Sequence, residues 1–213
     1  MIIIGITGGS GSGKTTFAKN ISEKLNSEKL AIYESVIIPQ DNYYKDFSDL
    51  PYEQRKEINF DEPAAIDYDL LISHIKLLKE GNSIDMPQYS MYNSKRMPET
   101  TKVFSKPIII TEGILIFQNQ ELLDLIDIKV YLDSSPDDRL INIIRRDIYE
   151  RGKNFAEVLK RYEDLVRPMH IKYIEPSRKL ADYIIPKYLD KELGIQFIIN
   201  MIKTHLNKIK NNV

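Results

Sequence analysis

The chain has 213 residues with 30 basic and 31 acidic side chains, a balance that argues against a general nucleic-acid binder. Its length favours a single domain, 1–213, with insertions. The chain has no cysteine, which excludes a disulfide framework and a thiolate zinc site. It also has no apolar run as long as a membrane span or a signal peptide, which excludes a membrane partner. We therefore expect a cytoplasmic protein.

The first predicted elements are a strand over 2–6 and a helix with Phe17, Ile21 and Leu25 on its apolar face. The segment between them matches the GxxxxGK[ST] pattern of a phosphate-binding loop: Gly8, Gly9, Ser10, Gly11, Ser12, Gly13, Lys14 and Thr15, with Thr16 next. Its glycines let backbone N–H groups point at a triphosphate. Lys14 is expected to reach the phosphates, and Thr15 to ligate Mg²⁺. A Gly/Ser-rich turn that only joins strand to helix is the alternative.

A second strand is predicted over 35–39, and it delivers Asp41 to the carboxyl edge of the sheet, where open α/β sheets bind ligands. Asp41 could accept a proton there from an acceptor hydroxyl, or it could cap the following turn. A polar and aromatic loop spans 42–67, and a helical stripe follows over 70–78. Weak alternation over 83–106 predicts a small hairpin or flap.

Continuous β-branched residues over 107–113 predict a central strand that is buried on both faces. Glu112 ends this strand and is a candidate Mg²⁺ ligand, with solvation in a loop as the alternative. Further strands are predicted over 128–133 and 182–186. The pattern therefore predicts an α/β protein with a mainly parallel five-stranded sheet flanked by helices.

The later helices carry a cluster of arginines. One helix is expected to begin at Pro136, with Ser134 or Ser135 as its cap. Only some of its arginines can face one phosphate from a rigid helix, so we expect Arg146 and Arg151 to serve the site in a mobile lid and the others to form surface pairs. The last helix is expected to bury the stripe Leu193, Phe197, Met201 and Ile202.

Six segments follow one another as they do in uridine kinases (uridine–cytidine kinases), and the resemblance covers nearly the whole chain. They are the phosphate loop, 40–45, 59–67, 112–114, 146–152 and 166–170. The chain resembles this family, which implies a P-loop kinase fold with a β flap (83–106) and a helical lid (139–170). It also implies Mg²⁺-dependent phosphoryl transfer from ATP or GTP to the 5′-hydroxyl of uridine or cytidine, in a homotetramer.

The resemblance also implies a role for each matched residue. Asp41 would be the acceptor base, Asp61 would hold the ribose hydroxyls and Tyr89 would contact the nucleobase. The other predicted catalytic residues are Lys14, Arg146 and Arg151. The other predicted acceptor-binding residues are Tyr44, Phe60, Ser94, Arg151 and Lys153.

Several positions depart from the family pattern. Ser94 stands in place of a base-reading histidine, and Met91 replaces an aromatic residue for which Tyr92 could substitute. Lys153 keeps the charge of the usual arginine without its bidentate fork, and Ile143 occupies an additional basic position. Another small hydroxyl acceptor, such as a sugar, phosphosugar or vitamin precursor, therefore stays open. A nucleotide-dependent switch is a further alternative, although the sequence has no guanine-reading Asn-Lys-x-Asp segment.

Overall fold

The structure, a computed structural model, describes residues 1–189 and 191–211, so residues 190, 212 and 213 of the predicted domain lie outside the described residues. Within the described residues the strands are β1 (Ile2–Gly8), β2 (Ser35–Pro39), β3 (Ile84–Ser90), β4 (Lys95–Val103), β5 (Ile108–Glu112), β6 (Ile128–Asp133) and β7 (Tyr183–Pro186). The α-helices are α1 (Lys14–Ser27), α2 (Tyr52–Lys56), α3 (Tyr68–Lys79), α4 (Gln120–Leu125), α5 (Pro136–Tyr149), α6 (Phe155–Arg161), α7 (Arg167–Met169), α8 (Glu175–Ser177) and α9 (Lys191–Asn211).

The central sheet is parallel, and its strands run in the order β2-β5-β1-β6-β7. All of β1 is buried, because successive side chains enter cores on opposite faces. Ile2, Ile4 and Ile6 pack in one core with residues of α1 and α9, and Ile3 packs in a second core with residues of α3 and α4. A strand covered on both faces reads as a continuous apolar run. The predicted five-stranded parallel sheet flanked by helices is confirmed.

The strand register brings three strand ends to one edge of the sheet. Ile6 of β1 and Pro39 of β2 both pair with Glu112 of β5. The segments that follow these strands therefore emerge side by side. The phosphate loop follows β1, and Asp41 lies in a 3₁₀ turn directly after β2. This edge is where an open α/β sheet places its ligands.

The predicted hairpin is present as β3 and β4, an antiparallel pair outside the central sheet. Its base is anchored because Ile84, Met86 and Val103 are buried in the core that contains α3. Its far end pairs Tyr89 with Arg96. The hairpin thus rests on the core at one end and carries polar and aromatic residues at the other.

The predicted lid, 139–170, covers most of α5 and all of α6 and α7, and the helical path after α6 continues beyond it to Ser177. Ser135, not Ser134, caps α5, since its side chain accepts a hydrogen bond from the Asp138 N–H. Ile143 is buried with residues of the path after α5, including Val158. The position at which the family pattern has a basic residue is therefore a hydrophobic core position in this chain.

The path after α6 contains two π-helical turns, Tyr162–Val166 and His170–Ile174. Each turn precedes a short α-helix with proline in its first turn, Pro168 in α7 and Pro176 in α8. Proline has no N–H and clashes with the carbonyl four residues earlier. A wider turn accommodates it without breaking the helical path.

The last helix buries only part of the predicted stripe: Ile202 is buried and Met201 is half-buried. Leu193 and Phe197 are 58% and 42% exposed, so the prediction was wrong for both. The buried residues are Ile195, Ile198, Ile199, Ile202 and Leu206. The isoleucines repeat at spacings of three and four, which places them on one helical face against α1 and the sheet.

No helix in the described part of the chain is both long and apolar enough to cross a membrane.

Candidate active site

The loop between β1 and α1 has a backbone that suits glycine. Gly8 and Gly11 have φ angles of 149° and 77°. A Cβ on Gly11 would lie 2.4 Å from the carbonyl oxygen of Arg139, so close packing also excludes a side chain there. Gly13 begins α1 without a side-chain cap, so N–H groups of the first turn remain donors for an anion. The other predicted nucleotide-binding residues of this segment are Gly9, Ser10, Ser12, Lys14, Thr15 and Thr16.

Lys14, Thr15 and Glu112 meet where this loop passes the end of β5. Thr15 Oγ1 donates a hydrogen bond of 3.0 Å to Glu112 Oε1. Burial raises the pKa of Glu112 to about 7. The positive charge of Lys14 opposes this increase, and the negative charge of Asp41 adds to it. Burial lowers the pKa of Lys14, while Glu112 and Asp41 oppose that change. The loop lysine therefore lies within electrostatic reach of two carboxylates.

Asp41 is held beside Glu112 by its neighbour Gln40. The Gln40 side chain is fully buried, and its Oε1 accepts a hydrogen bond of 2.8 Å from the Leu115 N–H. Gly113 allows this contact, because a Cβ there would lie 2.4 Å from the Gln40 Cβ. Gln40 thus locks the turn that carries Asp41 against the segment that follows Glu112.

Three predicted acceptor residues form one aromatic cluster. The ring centroid of Tyr44 lies 5.1 Å from that of Phe60 and 5.2 Å from that of Tyr89. The centroids of Phe60 and Tyr89 are 6.0 Å apart. The Tyr89 hydroxyl is buried and has no hydrogen-bond partner among the described residues. Buried polar groups are normally satisfied, so an unpaired hydroxyl in such a cluster suits a ligand contact.

The two predicted lid arginines converge on one buried carboxylate. Asp147 is 1% exposed, and its Oδ1 lies 2.8 Å from Arg146 Nε and 3.2 Å from Arg151 Nη1. Burial lowers the pKa of Arg151, Arg146 adds to this shift, and Asp147 and Asp41 oppose it. The electrostatic influence of Asp41 on Arg151 indicates that the lid cluster lies close to the site at the sheet edge.

Ser94 lies at the tip of the hairpin with a left-handed backbone, φ 48°, and is half-buried. Tyr92 is 71% exposed, whereas Met91 packs against the aromatic cluster. The expectation that Tyr92 could replace the missing aromatic residue is therefore wrong, because its ring points to solvent. Lys153 lies beyond α5, and its pKa is lowered by burial and by the nearby charge of Arg161.

One arginine contradicts the expectation that the remaining lid arginines form surface pairs. Arg139 is 3% exposed, and its Nε donates to the Ser134 carbonyl at 3.2 Å. A Cβ on Gly9 would lie 2.7 Å from Arg139 Nη1, so the guanidinium lies against the phosphate loop. The long side chain of Arg139 fills space beside that loop. The helical spacing of the arginines could not predict this position.

Sequence reasoning also missed two arginines that contact acceptor-side residues. Arg161 Nη2 donates a hydrogen bond of 2.6 Å to the buried Asp61 Oδ2. Arg96 Nη2 donates to the Tyr44 carbonyl at 2.7 Å and to Asp67 Oδ2 at 3.0 Å. Arg96 lies two positions after Ser94, where the family pattern has its histidine, and this position is a usable signal. Arg161 has no local signal, because its partner is 100 positions away.

A cavity of about 330 Å³ adjoins the phosphate loop, between α1 and the region after β7. It is lined by Ser12, Gly13, Thr16, Phe17, Leu132, Asp133, Asn142, Ile185, Pro186, Lys187, Leu189 and Gly194. The lining is mostly apolar with a few polar groups, which is the composition of a small-molecule site.

The fold and this edge of the sheet define a P-loop kinase, and comparisons with known proteins agree. The model of the "Phosphoribulokinase / Uridine kinase family" matches residues 3–193. The chain is 44% identical over 209 residues to a uridine kinase of Clostridium novyi (strain NT), with 98% of each chain covered. It is also 44% identical over 207 residues to a uridine kinase of Clostridium botulinum (strain Okra / Type B1), covering 97% of this chain and 98% of that one.

Solved structures show the same fold at lower identity. A structure described as a possible uridine kinase from Bacillus stearothermophilus has a TM-score of 0.60 and 19% identity, covering 86% of this chain and 88% of that one. Shikimate kinase from Bacteroides thetaiotaomicron has a TM-score of 0.52 and 19% identity, covering 95% and 98%. The chain belongs to the phosphoribulokinase/uridine kinase family, whose members use a nucleotide as phosphoryl donor.

Proposed function

We propose that this protein transfers the γ-phosphoryl group of ATP or GTP to the 5′-hydroxyl of uridine or cytidine, in a Mg²⁺-dependent reaction that gives UMP or CMP. The observation that carries the proposal is the geometry beside Lys14: Thr15 donates a hydrogen bond of 3.0 Å to Glu112, and β2 brings Asp41 to the same edge of the sheet. In agreement with this arrangement, burial lowers the pKa of Lys14, and the carboxylates Glu112, Asp41 and Asp61 act against this shift. The 44% identity to uridine kinases over nearly the whole chain supports the choice of acceptor.

Asp41 is the proposed acceptor base. It would take the proton of the 5′-hydroxyl while a bond forms between that oxygen and the γ-phosphorus and the bond to the β-phosphate oxygen breaks. Lys14, Arg146 and Arg151 would neutralise the negative charge on the transferred group. Their support is electrostatic proximity, because Asp41 acts on the pKa of both Lys14 and Arg151.

Thr15 and Glu112 are the proposed Mg²⁺ ligands. Their oxygens lie 3.0 Å apart and are hard donors of the kind that Mg²⁺ prefers. Within residues 1–189 and 191–211, no group of three or more His, Cys, Asp or Glu side chains is gathered for a metal. Mg²⁺ fits such a sparse site, because it usually keeps waters and takes further oxygens from phosphates. When bound, it supplies charge neutralisation at the phosphate oxygens.

The acceptor nucleoside would lie against the aromatic cluster. Asp61 would accept hydrogen bonds from the ribose hydroxyls, and the buried, unpaired hydroxyl of Tyr89 would contact the base. The remaining proposed acceptor residues are Tyr44, Phe60, Ser94, Arg151 and Lys153. The cavity of about 330 Å³ next to the phosphate loop is the proposed place of the donor nucleoside.

A nucleoside panel tests the proposal. Purified protein is incubated with Mg²⁺ and either ATP or GTP, alone and with uridine, cytidine, a purine nucleoside, a sugar or a phosphosugar, and the products are identified by mass spectrometry. We expect formation of ADP or GDP that requires uridine or cytidine, with UMP or CMP as the second product. Formation of ADP or GDP with a sugar only would identify another kinase of the same fold, and hydrolysis of the nucleotide without any acceptor would favour a nucleotide-dependent switch. Assembly as a homotetramer stays a prediction, which light scattering would check.

A further inference from the structure

The contact between Arg161 and Asp61 is a partly buried ion pair between the lid and the acceptor segment. Arg161 Nη2 lies 2.6 Å from Asp61 Oδ2, and the two side chains are 26% and 5% exposed. A short charge-assisted bond of this kind is stronger than one between neutral groups. Because Asp61 is nearly enclosed, losing its cationic partner would leave a buried charge without compensation.

The same guanidinium also lies near a second buried carboxylate. Arg161 Nη1 is 3.7 Å from Asp147 Oδ2. Asp147 is the carboxylate on which Arg146 and Arg151 converge. The guanidinium of Arg161 therefore lies between Asp61, to which it is hydrogen-bonded, and Asp147, which it approaches at ion-pair distance without a hydrogen bond.

We propose that Arg161 is a positioning residue for the acceptor: it fixes the Asp61 carboxylate for the ribose hydroxyls and holds it near Asp147, on which the lid arginines converge. This inference rests on the proposed function, in which Asp61 binds the ribose. A carboxylate oxygen accepts more than one hydrogen bond, so Asp61 can bind Arg161 and a ribose hydroxyl together. The planar guanidinium, with donors on separate nitrogens, suits a bridge between two carboxylates better than a lysine ammonium does.

The test compares Arg161→Gln with Lys160→Gln. Lys160 is the adjacent residue on the same helix, but its side chain is 81% exposed and pairs with Asp164 on the surface. For Arg161→Gln we expect the KM for uridine to rise about 10- to 100-fold, since a hydrogen bond between buried charged groups is lost. The KM for ATP should not change, and kcat should fall less than KM rises. Lys160→Gln should match the unsubstituted protein in all three.

Three further measurements separate positioning from a merely structural role. Arg161→Lys should recover part of the uridine affinity, because it restores the charge but not the fork. In a double-mutant cycle with Asp61→Asn, the double variant should be no worse for uridine than Asp61→Asn alone, because both substitutions remove one interaction. Discrimination between uridine and 2′-deoxyuridine should decrease in Arg161→Gln as it does in Asp61→Asn.

The outcomes are distinct. If Arg161→Gln behaves like Lys160→Gln, the inference is wrong while the proposed function stands. The same conclusion holds if the substitution lowers thermal stability and weakens ATP binding by the same factor as uridine binding. Additive effects in the cycle would also overturn it. If the unsubstituted protein does not phosphorylate uridine or cytidine, the proposed function is wrong and the inference falls with it.

Discussion

The donor side and the acceptor side of the site are built in different ways. The phosphate-binding part of the donor side is local: a continuous segment, 8–16, supplies backbone donors and Lys14, and one contact links Thr15 to Glu112 across the sheet. The acceptor side draws Asp61, Tyr89 and Arg161 from separate segments that meet through side chains. A backbone cradle depends on the fold, whereas an assembled pocket depends on individual side chains. The acceptor can therefore change within one fold while the donor site is retained.

The largest expected effect lies on the donor side. Lys14→Ala should lower turnover by several orders of magnitude, because it removes positive charge from the transferring phosphates in a buried site. Steady-state kinetics with saturating uridine and ATP measure the loss, and circular dichroism confirms that the variant is folded. Unchanged turnover in a folded variant would remove the phosphate loop from the mechanism.

Asp41 lies at the junction of the two sides, and its substitution separates chemistry from binding. Asp41→Asn should lower kcat on the order of 100-fold or more, since the amide cannot accept the hydroxyl proton, and should change the KM values far less. The neighbour Gln40 keeps the turn in place through its hydrogen bond to Leu115. A variant that loses uridine binding but keeps kcat would show that Asp41 positions the acceptor instead.

A purely acceptor-side effect is expected for Asp61. Asp61→Asn should raise the KM for uridine about 10- to 100-fold through loss of charged hydrogen bonds, with a smaller change in kcat. In the unsubstituted protein, 2′-deoxynucleosides should be poor acceptors. Kinetics on uridine and 2′-deoxyuridine check both statements. Equal use of the two nucleosides by the unsubstituted protein would contradict a role for Asp61 at the 2′-hydroxyl.

The same contrast explains how much could be predicted from sequence. The strands and the phosphate loop follow from continuous patterns, so both were predictable from local sequence. The pairing of Arg161 with Asp61 was not, because it spans 100 positions and depends on how the lid packs. Arg139 was expected at the surface, but it fills space beside Gly9. In α9 the exposed Leu193 shows that apolar residues at helical spacing can define more than one face, and only packing decides which is buried.

On the donor side, the proposed role of Glu112 as a Mg²⁺ ligand predicts that magnesium binding depends on pH. Burial raises its pKa to about 7, and a carboxyl must be ionised to bind a metal. Between about pH 8 and about pH 6, the ionised fraction falls by about tenfold, so the Mg²⁺ requirement of turnover should rise by a similar factor. Phosphates of ATP titrate nearby, with a pKa of about 6. Glu112→Gln is the control, since its remaining pH dependence belongs to the nucleotide. Identical profiles for both proteins would exclude Glu112 as the titrating ligand.

The smallest expected effect concerns Ser94, at the acceptor end of the comparison. A uracil carbonyl and a cytosine amino group require opposite hydrogen-bond partners, which a histidine can serve by changing tautomer and a short serine cannot reach as easily. An unsatisfied buried base group costs about 1 kcal/mol or more, or about fivefold in affinity. We therefore expect a raised KM for one nucleoside or an unequal ratio of uridine to cytidine use. Ser94→His should reduce that inequality, and the left-handed backbone there, φ 48°, is one that histidine tolerates better than most residues.

Kinetics on both nucleosides measure the change, with Tyr92→His as the matched control because Tyr92 is exposed at the same tip. If the unsubstituted protein uses both nucleosides equally well and Ser94→His changes nothing, the base is read elsewhere, and the unpaired hydroxyl of Tyr89 is then the first residue to substitute.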